Sequence, residues 1–349
     1  MPGASDLPGL SLWYPSLSLQ AGLGYKDNVT LSSYDPQGSG FESLTAEAML
    51  IRLPYDQWQF TALGTFTDTR YFDRSIGVDT EQNATFSGEF TWMPAPGWKV
   101  VSTLQYLFIN QVMDVSASYA IPIRQQVLGH GITFKQGVRR EAGPWYVDLS
   151  LAGSRYLFDE PLDDYWQTGP TLTVGRRVAK KTELTLTYSA LPLAYDTRAE
   201  ASARGVPMPG TSLRFLPHSL ETGWEQTLDE PGRWRAGLRL QFQRNEDNGS
   251  GYYDYWHYRA AGHLRYKPQG WDFLMQASLG YYDYDLQTVS PTDARRRHHA
   301  LALVSVRGQR VLSRHWRAFA NYDFERSLSN LPLEEYQANV ISVGAEYTF

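Results

Sequence analysis

The chain ends Ile341-Ser342-Val343-Gly344-Ala345-Glu346-Tyr347-Thr348-Phe349. Taken two residues at a time, Ile341, Val343, Ala345, Tyr347 and Phe349 are apolar, while Ser342, Gly344 and Glu346 between them are polar or small. Successive side chains of a β-strand point to opposite faces, so the stretch predicts a strand with one apolar and one polar side. The same period runs back through the chain. Leu17, Leu19, Ala21, Leu23 and Tyr25 alternate with Ser18, Gln20, Gly22 and Gly24. Trp58, Phe60, Ala62 and Phe66 oppose Gln57, Gln59, Thr61 and Thr65; Trp234, Ala236, Leu238, Leu240 and Phe242 oppose Arg235, Arg239, Gln241 and Gln243. No segment shows a convincing period of 3.6.

Applied throughout, this template predicts about sixteen strands. They span 16–29, 43–53, 57–70, 81–93, 97–109, 126–137, 145–156, 167–178, 182–194, 216–228, 233–245, 253–267, 270–283, 297–310, 315–327 and 336–349. Many run about 11–14 residues, longer than the ~5–6 of globular sheets and enough for a membrane-crossing strand. Short turns such as Pro94-Ala95-Pro96 and Glu230-Pro231-Gly232 alternate with longer polar stretches at 30–42, 110–125, 195–215, 284–296 and 328–335. A soluble sandwich has no reason to alternate so regularly. An all-β, transmembrane, antiparallel up-and-down barrel does, with short periplasmic turns and longer extracellular loops. Residues 16–349 are assigned to the barrel and residues 1–15 to a periplasmic N-terminal segment. No signal peptide is visible in residues 1–15, and the barrel reading implies that one has been removed.

Composition agrees with this reading. The 349 residues contain no cysteine, so disulfides and thiolate metal sites are excluded. A net charge of −5 argues against a dedicated nucleic-acid binder. The mean hydropathy is −0.42 although aromatics make up 14% of the chain, with 23 Tyr and 11 Trp. Alternation explains both figures, because half of each strand faces lipid and half faces water. Trp58, Trp98, Trp145, Trp234, Trp271 and Trp316 each follow a short turn, and Trp92 precedes one. Indole rings favour the membrane–water boundary, so these seven are read as an interface girdle.

Ser342, Gly344, Tyr347 and the terminal Phe349 resemble the C-terminal recognition signal of bacterial outer-membrane proteins. The resemblance implies insertion by the barrel-assembly machinery into a Gram-negative outer membrane. Gly24-Tyr25-Lys26-Asp27-Asn28-Val29, with Tyr71-Phe72 later, resembles the opening of a β-barrel porin family found beside exopolysaccharide export genes. The six-residue motif also resembles the barrel of surface-lipoprotein assembly modifiers, whose helical repeats are absent here.

A barrel of this size is too wide for side chains to fill, so function is sought on the inward face. Parity puts Arg235, Arg239, His257, Arg259, His263, Arg265 and Arg317 there, with Glu47, Glu89, Asp148, Glu221 and Glu225 elsewhere on the wall. Basic residues on one wall and acids on others would set up a transverse field favouring anionic or dipolar solutes; the alternative is that the charges pair and stiffen the wall. The run Arg295-Arg296-Arg297-His298-His299 suits either lipopolysaccharide phosphates or a solvated loop, the second being preferred. His130 falls on the lipid-facing parity.

No hydrolase, metalloprotease or nucleotide-binding motif is present, and an enzyme, a cofactor or a metal is not expected. The expected function is a porin-like channel for hydrophilic solutes, with saccharides as one candidate class. An exopolysaccharide export portal is the first alternative. A plugged structural or adhesive barrel, or a surface-lipoprotein assembly barrel, is the second. Expected partners are outer-membrane lipid and lipopolysaccharide, the assembly machinery, and a polysaccharide or periplasmic export partner; nucleic acid is not among them.

Overall fold

A computed structural model describes residues 12–54, 56–116, 124–179, 181–290 and 292–349. Seventeen strand segments form one closed antiparallel sheet. The first nine are β1 (Trp13–Lys26), β2 (Ser39–Arg52), β3 (Trp58–Tyr71), β4 (Thr80–Trp92), β5 (Trp98–Asp114), β6 (Arg124–Ala142), β7 (Trp145–Phe158), β8 (Tyr165–Ala179) and β9 (Thr182–Ala190). The rest are β10 (Leu193–Tyr195), β11 (Arg214–Thr227), β12 (Trp234–Asp247), β13 (Tyr255–Tyr266), β14 (Trp271–Ser290), β15 (Asp293–Val311), β16 (Trp316–Ser329) and β17 (Tyr336–Thr348).

The barrel has sixteen staves, because β9 and β10 run in line. Both pair with β8 on one side and β11 on the other. Leu191-Pro192 divides them, since proline has no N–H to give the ladder. The Pro192 carbonyl still accepts the Thr168 N–H at 3.0 Å, so the wall stays joined across the break. The even stave number makes the first and last strands antiparallel neighbours, and the ring closes from Ser18↔Thr348 to Lys26↔Val340.

β1 starts at Trp13, inside the span assigned to an N-terminal segment, because Trp13 still pairs with Arg52. Residues 1–11 of that segment, and Tyr55, Lys180, Pro291 and residues 117–123 of the predicted turns and loops, lie outside the described residues. Strand extends into two predicted loops, over 110–114 and 124–125 of the first and 284–290 and 293–296 of the second. β5 and β6 run on to Asp114 and back from Arg124, and β14 and β15 reach 20 and 19 residues.

Directly opposed residues share a face, so the register fixes what points outward. Leu17, Leu19 and Leu23 lie beside Ala48, Ala46 and Glu42, and on the far side of β1 Leu23 meets Val343. Leu17, Leu19, Leu23 and Val343 are among the large exposed hydrophobics of the surface. On β12 the band runs from Trp234 to Arg244. Ten residues at about 3.3 Å each, tilted near 40°, give about 25 Å, the height of an outer-membrane apolar belt.

The short turns and the girdle are built together. Gly97, Gly143, Gly232 and Gly270, all at positive φ, stand one or two residues before Trp98, Trp145, Trp234 and Trp271. At Gly97 the need is double, because a Cβ there would meet the Glu141 carbonyl oxygen at 2.7 Å. Trp58, Trp92, Trp98, Trp145, Trp234, Trp271 and Trp316 line this end on the outward face. Guanidiniums lie over four of them: Arg52 over Trp58 at 3.2 Å, Arg140 over Trp98, Arg176 over Trp145 and Arg310 over Trp271.

Candidate functional site: the lumen and its mouth

β12 turns Arg235, Gly237, Arg239, Gln241, Gln243 and Asn245 to the interior, and β13 turns Tyr255, His257, Arg259, Ala261, His263 and Arg265 there. Arg235 opposes Arg265, and Arg239 and Arg259 are diagonal neighbours. Such like charges repel across a ladder unless water or an anion separates them. Arg265 is neutralised by Asp272, with Nε donating at 2.8 Å. Arg317 donates to Glu346 at 3.0 Å, and His263 lies 3.3 Å from Glu225. Arg235, Arg239 and Arg259 are exposed to the lumen and have no ion pair or side-chain hydrogen bond among the described residues.

The acids are distributed differently from the expected separate walls. Glu89 on β4 and Glu47 on β2 lie across the barrel. β12 and β13 are the eleventh and twelfth staves and β3 and β4 the third and fourth, eight apart in a ring of sixteen. Glu221 and Glu225, however, are on β11, next to the basic strip, because β11 pairs directly with β12. Asp148 is taken by Arg139 at 3.1 Å. Parity identifies the face of a residue but not its neighbours on the next strand. A lumenal cavity of about 550 Å³ has Arg239 and Arg259 of β12 and β13 on one side, and Asp323 and Glu325 of β16 with Lys26 of β1 on the other.

The mouth holds what the sequence reading missed. Phe41, Tyr71, Tyr156, Phe158, Tyr165, Tyr195, Phe215, Tyr255, Tyr282, Tyr284 and Tyr336 sit at the loop ends of their strands on the inward face. They form an internal aromatic collar, distinct from the outward girdle. Eight of the 23 Tyr therefore line the lumen's mouth instead of the outer belt. The available signal was an aromatic in a polar-parity position close to a long loop: Tyr156 and Phe158 alternate with Leu157, and Tyr165 precedes outward Trp166.

Part of the collar is packed shut. Val29, Leu31, Phe41, Tyr71, Val78, Val112 and Tyr336 form a buried cluster. The first residue of β6 and the residues just after β5 reach across to it. Arg124 donates to the carbonyls of Leu31, at 2.8 Å, and Leu333, and lies over the Tyr336 ring. Arg297 of β15, 1% exposed, donates to the Ser116 carbonyl at 2.7 Å and to Gln287 at 2.6 Å, and pairs with fully buried Glu334. β5 and β15 are the fifth and fourteenth staves, so these contacts span most of the lumen's width.

Arg297 and Glu334 correct the expectation of a solvated run at 295–299. Alternation splits it: Arg297 and His299 are buried inward, Arg295 and Arg296 are exposed, and Arg295 is taken by Asp293. His130 does face outward. Its Nδ1 lies 2.8 Å from the Tyr106 hydroxyl, and Tyr188 with His218 repeats the pair at 2.7 Å, so each hydroxyl and the Nδ1 beside it satisfy one another. At the rim, Arg155 beside Asp196 holds that carboxyl below the usual range, while burial pushes the Asp254 carboxyl up. Asp247 accepts the N–H groups of Gly249, Gly251 and Tyr253 at 2.8–2.9 Å, so it ties its own loop.

No family model and no curated protein matches the sequence. Among solved structures, Acinetobacter baumannii OccAB1 superposes with a TM-score of 0.53 at 9% identity, covering 97% of each chain. OccAB3 of the same organism gives 0.51 at 10% identity, over 97% of this chain and 100% of that one. A bacterial polysaccharide outer membrane secretin superposes less closely, at 0.44 and 6% identity, over 95% of this chain and 97% of that one.

The fold is that of an outer-membrane β-barrel.

With its apolar belt and Trp girdle, the protein resides in the bacterial outer membrane. The C-terminal residues have structural work in this barrel. Ser342 and Gly344 face inward at the closing seam, where a Cβ on Gly344 would meet the Ala21 carbonyl oxygen at 2.2 Å. Tyr347 packs edge-on to Trp316 at 5.0 Å, and the Phe349 N–H bonds the Leu17 carbonyl at 3.0 Å.

Proposed function

We propose that the barrel is a channel for hydrophilic solutes that favours anionic or dipolar ones. The observation that carries this reading is the trio of unpaired, water-exposed guanidiniums, Arg235, Arg239 and Arg259, inside a lumen that also carries Asp323 and Glu325. Cations held in a low-dielectric wall attract anions and retard cations, and opposed charges orient dipoles. Planar-bilayer recording tests it. Stepwise conductance with a reversal potential favouring Cl⁻ is expected, and silence over many insertions would remove the channel reading.

The β5–β6 hairpin and the buried Arg297–Glu334 pair favour a second reading, a barrel whose mouth is closed. The same recording separates the two. An exopolysaccharide export role predicts polysaccharide synthesis genes beside this one and loss of capsule or slime on deletion. Contact of the girdle and belt with lipid and lipopolysaccharide, and insertion by the assembly machinery through Ser342, Gly344, Tyr347 and Phe349, belong to the same proposal.

A further inference from the structure

Below the mouth, on the side away from the packed cluster, the collar borders a cavity of about 280 Å³. Tyr156 stacks on Tyr165 at 4.8 Å, Tyr165 meets Tyr195 at 5.6 Å, and Tyr195 meets Phe215 at 5.7 Å, so rings continue across four segments of the wall. Apolar surface inside an aqueous lumen costs free energy unless something covers it. Among the described residues the cavity's polar lining is the amides of Gln167, Gln243 and Asn245 with three tyrosine side chains, and Asp163 is its one charged group. Gln243 has no side-chain hydrogen bond among the described residues and can both donate and accept. Aromatic faces with amides beside them suit a ligand that has an apolar C–H face and many hydroxyls at its edge, which is the chemistry of a pyranose ring.

Going down β12, the lumenal face changes from Asn245, Gln243 and Gln241 to Arg239, with Arg259 beside it on β13. Gln243 to Arg239 is four residues, about 13 Å of strand. A ligand touching both is therefore extended, and its lower part carries an acid. Across the lower cavity Asp323, without a partner among the described residues, and Glu325 accept hydroxyl donors. A simple polyanion would be repelled by them, whereas a hydroxylated acid is not.

We propose that this face of the lumen binds an acidic oligosaccharide, its rings on the aromatic cavity formed with Gln243 and its carboxylates on Arg239 and Arg259. The inference rests on the channel reading and deepens it. The test is calorimetric titration of the full chain, folded in detergent, with trigalacturonate, maltotriose and citrate. Trigalacturonate is expected to bind at least about tenfold more tightly than the other two. Arg259→Gln should bring trigalacturonate down to the level of maltotriose, and Phe158→Ala should weaken both sugars but not citrate. Retention of the folded, heat-modifiable band on gels excludes misfolding of each variant. Equal binding of maltotriose, equal binding of citrate, or no binding by a correctly folded barrel each overturns the proposal. Bilayer recording on the same preparation keeps the two readings apart. A conducting barrel that binds no sugar overturns the site alone, and a silent barrel that binds trigalacturonate overturns the channel alone.

Discussion

Arg235, Arg239 and Arg259 differ from Arg265 and Arg317 in one respect, the absence of a carboxylate partner. That difference divides the effects of mutation. Arg235→Ala combined with Arg239→Ala should move the reversal potential towards zero in a salt gradient and leave folding intact. Arg265→Ala should move it less, because the Asp272 carboxylate left behind stays paired with Lys267 at 3.3 Å. Unchanged selectivity in the double variant would show that the two arginines do not face the permeant ion. The inward face of each residue was legible from parity alone. Its pairing was not, because register between strands is set by turn geometry and by the packing of both faces. The collar was hidden for a related reason. Tyr282 and Tyr284 occupy inward positions where the alternating pattern leads one to expect polar residues, and Tyr is amphipathic enough to pass for either face.

At the scale of elements, the β5–β6 hairpin is the most informative. Sequence alternation located both strands but stopped them near 109 and 126, because beyond those points one face packs on other chain segments instead of on lipid or water. Its anchor is buried. Removing one partner of a buried ion pair costs about 3–5 kcal/mol, since the other charge is left uncompensated. Arg297→Ala should therefore detach the hairpin from β15, raising single-channel conductance and exposing the Ser116 region to protease. An unaltered conductance would place the narrowest point elsewhere. Turns make a second case. Gly97 sits at φ 75°, and Gly97→Ala adds about 1–2 kcal/mol of left-handed strain. A Cβ against the Glu141 carbonyl oxygen adds to that, so thermal unfolding of this variant should occur at lower temperature. The Gly-before-Trp spacing of these turns was visible in the sequence, which is why the girdle end of the barrel was the most readable part.

For the molecule as a whole, a mean hydropathy of −0.42 describes neither surface. The outward face is a continuous apolar belt and the inward face carries charges of both signs. Beside the closing seam, Glu346 of β17, only 5% exposed, ties that strand to β16 and β15: it accepts from Arg317 at 3.0 Å and from Gln309 at 2.6 Å, close to Arg307. Glu346→Gln removes the charge that both arginines share. A loss of about 1–3 kcal/mol is expected, in the range of a disrupted charged hydrogen bond, and is measurable as earlier heat-induced loss of the folded gel band. No change would mean that β17 is held to β16, and through it to β15, by backbone ladders alone.

That seam also orders events in time. Every other neighbouring pair of staves is a hairpin of nearby residues, but Ala21 meets Ala345, 324 positions away. Drawing such distant segments together costs on the order of 5 kcal/mol of chain entropy, recovered only when the ladder forms. Until then β1 and β17 both present unsatisfied edges, the surfaces most prone to pair with a foreign strand. The slow step of assembly is thus expected to be ring closure, and the pairing of β17 with β1 is the event that ends the risk of aggregation.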